Sequence, residues 1–256
     1  MNTKAWKMTR PANNENPKIW RYMDLAQFVS LLANESLWFS SAKFFDDPFE
    51  GSHSKLYAKT MNNLNLTEDE KAQKIKIARE LPKYTFINCW HISDIESYAM
   101  WKIYGKSGSS VAIQSTYNKL YGALKNYNEV TLGLVDYKDY ETEQLSVYGP
   151  TELVPFFNKG KTFHYEQELR AVIQYNEKLN KIFASDKDME QEELPTGLER
   201  KVDLNALIES IYVSPGAPVF FKNSVTAILD KFGYTKLQRE IVYSKLEREP
   251  IYGSAI

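Results

Sequence analysis

One cysteine, Cys89, and three histidines are all the thiol and imidazole side chains that this 256-residue sequence contains. A lone thiol excludes an intrachain disulfide framework and fits a reducing compartment. It also leaves little for zinc. Cys89 and His91 stand at i and i+2, on one face if the segment is a strand, but His53 and His164 are isolated and no second close pair completes a tetrahedral set. No metal is expected. Also missing are an apolar run near the roughly 20 residues needed to span a bilayer and a charged-then-apolar leader; a cytoplasmic chain with no membrane partner is the expectation. Neither charge is in excess. Lys and Arg number 32 against 33 Asp and Glu, a net charge of -1, without the basic surplus that a broad nucleic-acid footprint needs. No Gly-x-Ser-x-Gly elbow or dinucleotide fingerprint occurs. Gly105-Lys106-Ser107-Gly108 lacks the earlier glycine of a phosphate loop, because Met100 occupies that place.

What is present is an ordinary globular composition, 43% hydrophobic and 25% charged, with an aromatic share of 14% that suits strands and ring-gripping pockets. Residues 1–18 are polar, with Pro11 and Pro17, and read as a flexible tail. Residues 19–22 read as a strand, and Asp24 caps a helix carrying Leu25, Phe28, Val29, Leu31 and Leu32 at helical period. A second strand spans 37–40. The loop Phe44-Phe45-Asp46-Asp47-Pro48-Phe49-Glu50-Gly51 follows, with Gly51 for a tight turn; its large apolar side chains predict that it folds back onto the core. Thr67 and Glu70 form a capping box for an exposed helix over 67–80. Strands are predicted over 84–90, 110–114, 130–137, 210–213 and 239–243. Helices are predicted over 94–104, after Ser115 or Thr116, over 204–208, and from a cap at Asn223 to Gly233. The acidic stretch 185–200 reads as a surface loop. Irregular interleaving without repeats or a clear linker predicts one α+β domain over 19–256, a mixed or antiparallel sheet with flanking helices.

The centre of the chain is the segment 163–175, Phe-His-Tyr-Glu-Gln-Glu-Leu-Arg-Ala-Val-Ile-Gln-Tyr. Read as one strand, it places Tyr165, Leu169, Ala171 and Ile173 on an apolar face and His164, Glu166, Glu168 and Arg170 on the other. Glu166 and Glu168 then sit about 7 Å apart, too far to share a proton and close enough to grip one ligand or pair with Arg170. The plainer reading is a solvated strand face with a local ion pair. For Asp47 and Glu50 the plainer reading is loop capping of backbone N–H groups, and for Trp90 and Trp101 it is core packing.

Trp20-Arg21-Tyr22, Leu37-Trp38-Phe39-Ser40, Phe45 through Gly51, Cys89-Trp90, Met100 through Gly105 and Tyr165 through Arg170 occur in one order. In this the chain resembles the bacterial family known as domain of unknown function 2971, from about Ile19 to Ile173. The Asp-Pro-Phe-Glu loop and the Glu-x-Glu-x-Arg segment are its specific boxes. The family name implies no activity, so chemistry must supply one. A more distant likeness is to ADP-ribosyltransferases, one class of which has an early Arg, a middle Ser-rich strand and a late Glu-x-Glu. The likeness implies NAD as substrate and cleavage of its nicotinamide–ribose bond, with transfer to a nucleotide, protein or nucleic-acid acceptor or to water. Glu168 would then stabilise positive charge on the ribose, Glu166 would orient or deprotonate the acceptor, and Arg170 would stand beside them. Arg21, Tyr22, Ser40, Trp101 and Tyr104 would bind the dinucleotide. The middle strand departs from the usual Ser-Thr-Ser, reading Ser40-Ser41-Ala42, and the loop box at Asp47 and Glu50 has no counterpart there. Two rival expectations stand beside this one: a noncatalytic interaction module of a phage-defence or toxin system, and a metal-dependent nuclease with Asp46 or Asp47 near Glu166 or Glu168.

Overall fold

The structure is a computed structural model that describes residues 16–63, 65–105, 108–145, 152–175 and 194–247. In chain order the regular elements are β1 (Lys18–Asp24), α1 (Leu25–Asn34), β2 (Ser36–Ser41), α2 (Lys55–Asn62), α3 (Glu68–Glu80), β3 (Thr85–Ile92), α4 (Tyr98–Tyr104), β4 (Ser110–Thr116), α5 (Tyr117–Leu124), β5 (Val130–Leu134), β6 (Asp136–Lys138), β7 (Asn158–Gly160), β8 (Glu168–Gln174), β9 (Gly197–Lys201), α6 (Leu204–Leu207), β10 (Ser210–Val213), α7 (Val219–Lys231), α8 (Thr235–Gln238) and β11 (Ile241–Tyr243). Helices and a mixed sheet make the fold α+β, as the sequence predicts. The residues group into two compact units, one built on Leu37–Trp90 and Leu124–Arg200, the other on Asn16–Ser36, His91–Ala123 and the chain from Lys201.

In the first unit β2 runs antiparallel to β3, with Ser40 opposite Ile87. The strand β8 lies between β3 and β5 and pairs antiparallel with β5, Arg170 facing Gly133. All seven residues of β8 are buried, so its polar side chains have no solvent to turn to. The short strands β6 and β7 form a separate parallel pair. The core gathers Ala42, Leu81, Tyr84, Ile87, Leu153, Phe156, Phe157 and Val172; burying each of its larger side chains contributes about 1.5–3 kcal/mol.

In the second unit β1 pairs antiparallel with β4 along its whole length, from Lys18 opposite Thr116 to Asp24 opposite Ser110. The far side of β4 takes β10 antiparallel, and β11 joins β10 in parallel. Helix α1 begins with a full capping box between Asp24 and Gln27 and buries Phe28, Leu31 and Leu32, the i, i+3, i+4 spacing of one helical face. Trp20, Tyr22, Met100, Trp101 and Ala112 form an aromatic cluster.

Several sequence expectations need correction. Of the predicted tail, residues 16–18 are tied down: the Pro17 carbonyl accepts from the Tyr117 N–H at 3.0 Å, Asn16 accepts from the Asn118 N–H at 2.8 Å, and Lys18 opens β1. Residues 1–15 lie outside the described residues. The strand predicted over 130–137 is two, β5 and β6. Helix α4 starts at Tyr98 with Ser97 as its cap, four residues later than predicted. The last long helix starts at Val219, after an extended Pro218, rather than at Asn223. Residues 197–200 belong to β9 instead of a loop, while 185–193 fall outside the described residues.

Candidate functional site

The largest correction is at the centre of the chain. Residues 163–166 do not belong to a strand: Lys161–Glu166 forms a 3-10 helix, Gln167 takes a left-handed conformation at φ 41°, and only Glu168–Gln174 is extended. The expected alternation survives within β8 alone. The break at Gln167 changes the spacing of the two acids, and both carboxylates reach one ammonium, that of Lys159. The solvated face is also absent. Glu166, Glu168 and Arg170 are all buried, Arg170 at 0% exposure.

The guanidinium of Arg170 has five N–H donors in a rigid fork. Its Nε donates to Glu168 Oε2 at 2.7 Å and one Nη2 hydrogen to Glu168 Oε1 at 3.3 Å. Glu50 accepts two more, from Nη1 at 2.7 Å and Nη2 at 3.0 Å. The Phe156 carbonyl accepts the fifth at 2.7 Å. The two specific boxes of the sequence, Asp-Pro-Phe-Glu and Glu-x-Glu-x-Arg, thus meet through one bidentate pair. The second cation is Lys159 on β7. Its ammonium donates to Glu168 Oε1 at 2.8 Å and to Glu166 Oε2, and it lies 4.6 Å from the Phe163 ring centroid. Sequence reading missed Lys159. The signal that could have found it is a charge directly after the run Val154-Pro155-Phe156-Phe157-Asn158, where a buried ammonium needs carboxylate partners.

Three carboxyl groups and two cations make an unequal set, and the proton affinities reflect that. Burial, then the hydrogen bond and charge of Glu168, push Glu166 up to about 8. Burial acts upward on Glu168 also, but the charge of Arg170, the Glu166 hydrogen bond and Lys159 outweigh it and hold Glu168 well below the ordinary carboxylate range. Burial raises Glu50, against the opposing pull of Arg170. Lys159 rises to about 12: burial works to lower it, and the charges of Glu168 and Glu166 overcome that. Burial followed by the negative charge of Glu168 raises both the Cys89 thiol and the Tyr137 phenol. The Tyr137 oxygen accepts from the Glu168 N–H at 2.9 Å.

The loop 45–51 is turned inside out relative to expectation. Two of its three acids point inward, Asp47 and Glu50 at 8% exposure each, while Asp46 is exposed, and Phe49 within the loop and Phe44 beside it point outward at 59% and 57%. Asp47 does cap the loop, accepting from the Phe49 N–H at 2.9 Å. Glu50 does not, being drawn to Arg170. Phe45 keeps the inward role, against the core.

Of the sequence-predicted residues, Glu166, Glu168, Arg170 and Glu50 come together in one cluster of the first unit, with Asp47 in the same loop as Glu50. Ser40 sits on β2 of that unit, half-buried. Arg21, Tyr22, Trp101 and Tyr104 belong to the second unit. Tyr22 and Trp101 are committed to packing there. Their rings meet edge-on at 4.9 Å, the Tyr22 oxygen accepts from the Ser97 N–H at 2.8 Å, and the Trp101 indole donates to Glu96 at 3.0 Å. Tyr104 is exposed. Trp90 and Trp101 are core residues, 1% and 3% exposed. Among the described residues no group of three or more His, Cys, Asp or Glu side chains is arranged to hold a metal ion, and no helix is long and apolar enough to cross a membrane.

The fold and site define an α+β protein with a buried carboxylate–guanidinium–ammonium cluster. Comparison with protein-family models, curated proteins and solved structures finds no match.

Proposed function

We propose that the chain is a noncatalytic interaction module, in which the buried cluster fixes the loop 45–51 so that Phe44 and Phe49 form an apolar contact for a protein partner. The observation that carries this reading is the complete engagement of Arg170: all five of its N–H groups bind acceptors within the protein, which leaves none for a ligand. Phe49 in that loop and Phe44 in the turn before it both face solvent, and aromatic area on a loop anchored by a bidentate buried ion pair costs little entropy to dock and is enriched in interface cores. The test compares the native chain with the double variant Phe44→Ser, Phe49→Ser in crosslinking from cells expressing each. One defined partner, kept by the native chain and lost by the variant at unchanged stability, supports the reading. Crosslinking profiles identical in both overturn it.

One observation favours a second reading, the ADP-ribosyltransferase-like enzyme acting on NAD. Glu166, pushed up to about 8 beside an ionised Glu168, is the kind of divided carboxyl pair that performs acid–base chemistry near neutrality. Here Glu166 would exchange a proton with the acceptor and Glu168 would stabilise the ribosyl cation. Incubation with NAD decides it: nicotinamide released by the native chain and lost in Glu168→Gln replaces the first reading, and no release from either removes the second.

A further inference from the structure

Helix α3 forms without a buried face of its own. Thr67 and Glu70 complete a capping box at its start, and none of its 13 residues is buried. Ile77 within it and Leu81 at its end turn toward the core of the first unit. Successive residues of a helix point about 100° apart, so Glu68, Ala72, Ile75 and Arg79 fall on the side opposite Ile77 and Leu81. All four are exposed, Ile75 at 54%. They follow the i, i+4, i+7, i+11 spacing that keeps one seam running along a helix. A single exposed isoleucine means nothing by itself. The order of the residues around this one does: an acid opens the seam, a base closes it, and the apolar pair lies between them.

We propose that this seam is a homodimer contact, in which α3 of a second copy of the chain lies antiparallel against it. Reversing the helix reverses the stripe. Pairing about a two-fold axis midway between Gln73 and Lys74 therefore sets Glu68 against Arg79 of the second copy at both ends. At both central positions it sets Ala72 against Ile75, a small side chain facing a branched one. The stripe is complementary to itself, as an isologous interface requires. Parallel pairing would instead place Glu68 beside Glu68 and Arg79 beside Arg79. Within one chain Glu68 already meets Lys71 at 2.8 Å, but its side chain is 89% exposed, and such a pair is worth little, so it does not hold Glu68 back from Arg79. Because Ile77 and Leu81 point away from the seam, each chain's core stays behind its own helix. A helix of this length spans about 20 Å, and so small a contact belongs among weak, reversible associations. The contact draws on α3 alone and rests on neither reading of function.

Sedimentation equilibrium of the full chain is the experiment. The native protein is expected to rise from the mass of one chain toward that of two as its concentration is raised from about 10 μM to about 1 mM. Ile75→Asp is expected to stay monomeric across that range. Glu68→Arg and Arg79→Glu, measured separately, are each expected to weaken association at least about tenfold, because each puts like charges together at both ends of the seam. Mixed in equal amounts, the two charge variants are expected to associate as the native chain does, since each end of the mixed pair joins an acid to a base. The mixture contains the same chains that fail alone, so a loss of helix stability cannot imitate the result. A native chain that remains monomeric throughout, a dimer that survives Ile75→Asp, or charge variants that associate no better mixed than alone would each overturn the proposal.

Discussion

Arg170 is the residue around which the first unit is electrostatically closed. Its cost of burial is repaid only while both carboxylate partners remain in place. Replacing it by methionine keeps much of the volume and leaves Glu50 and Glu168 buried without their main counterion. Urea unfolding of Arg170→Met is expected to show a loss of about 3–5 kcal/mol. Arg170→Lys keeps the charge but offers at most three donors where five are used, and is expected to lose about half as much. Combining Arg170→Met with Glu50→Leu is expected to cost less than the sum of the single changes, because the second removes a charge that the first orphans. A ΔΔG for Arg170→Met below 1 kcal/mol would show that the cluster is hydrated rather than closed. Cys89 reports on the same environment. Burial and the neighbouring Glu168 charge keep its thiol protonated, and only the thiolate reacts. A disulfide reagent at pH 8 is expected to label native Cys89 at least about a hundredfold more slowly than the urea-unfolded chain; equal rates would contradict that environment.

At the scale of elements, what was legible in the sequence were the pieces fixed by local chemistry. The capping boxes at Asp24 and Thr67 are present with both reciprocal bonds, and the apolar spacing of α1 identified its buried face. Asp24→Ala is accordingly expected to lower stability by about 1 kcal/mol in thermal melts. Illegible was the break at Gln167, because a left-handed conformation at a glutamine has no compositional signature; hydrogen bonds from its N–H and side-chain amide to the His164 carbonyl hold it. The orientation of loop 45–51 was illegible because it is set by a distant partner. Hydropathy places phenylalanine inside and glutamate outside, and a guanidinium 120 residues away in the chain reversed that order for Glu50. Gly51, by contrast, was legible and is required twice over. Its φ is 75°, and an added Cβ would lie 2.6 Å from the Phe156 ring and 3.1 Å from Pro82. Gly51→Ala combines a backbone penalty of about 1–2 kcal/mol with overpacking of about 1–3 kcal/mol. It is expected to destabilise the chain by about 2–5 kcal/mol, measured by urea unfolding.

For the whole molecule, charge neutrality in the composition conceals an internal imbalance. Thirty-two basic against 33 acidic residues predict a featureless response to pH near neutrality, but Glu166 and Glu168 give folding opposite slopes on either side of the ordinary carboxylate pKa. Glu168 is depressed in the folded state, so its contribution is present above about 4.5 and is lost as pH falls through the folded value. Glu166 is raised to about 8, so its contribution is complete below about 4.5 and has gone once pH passes about 8. The contribution of the pair therefore peaks where the ranges meet, near pH 4.5–5, and declines toward neutrality. The measurement is urea unfolding at pH 5 and pH 8 for the native chain and Glu166→Gln, so that titrations common to both proteins cancel. Native stability is expected to fall relative to the variant as pH rises, because only the native fold retains a proton across that interval. A difference between the two proteins that stays constant, or that widens in favour of the native chain at pH 8, would mean that the cluster tolerates its unbalanced charge and that the proton resides elsewhere.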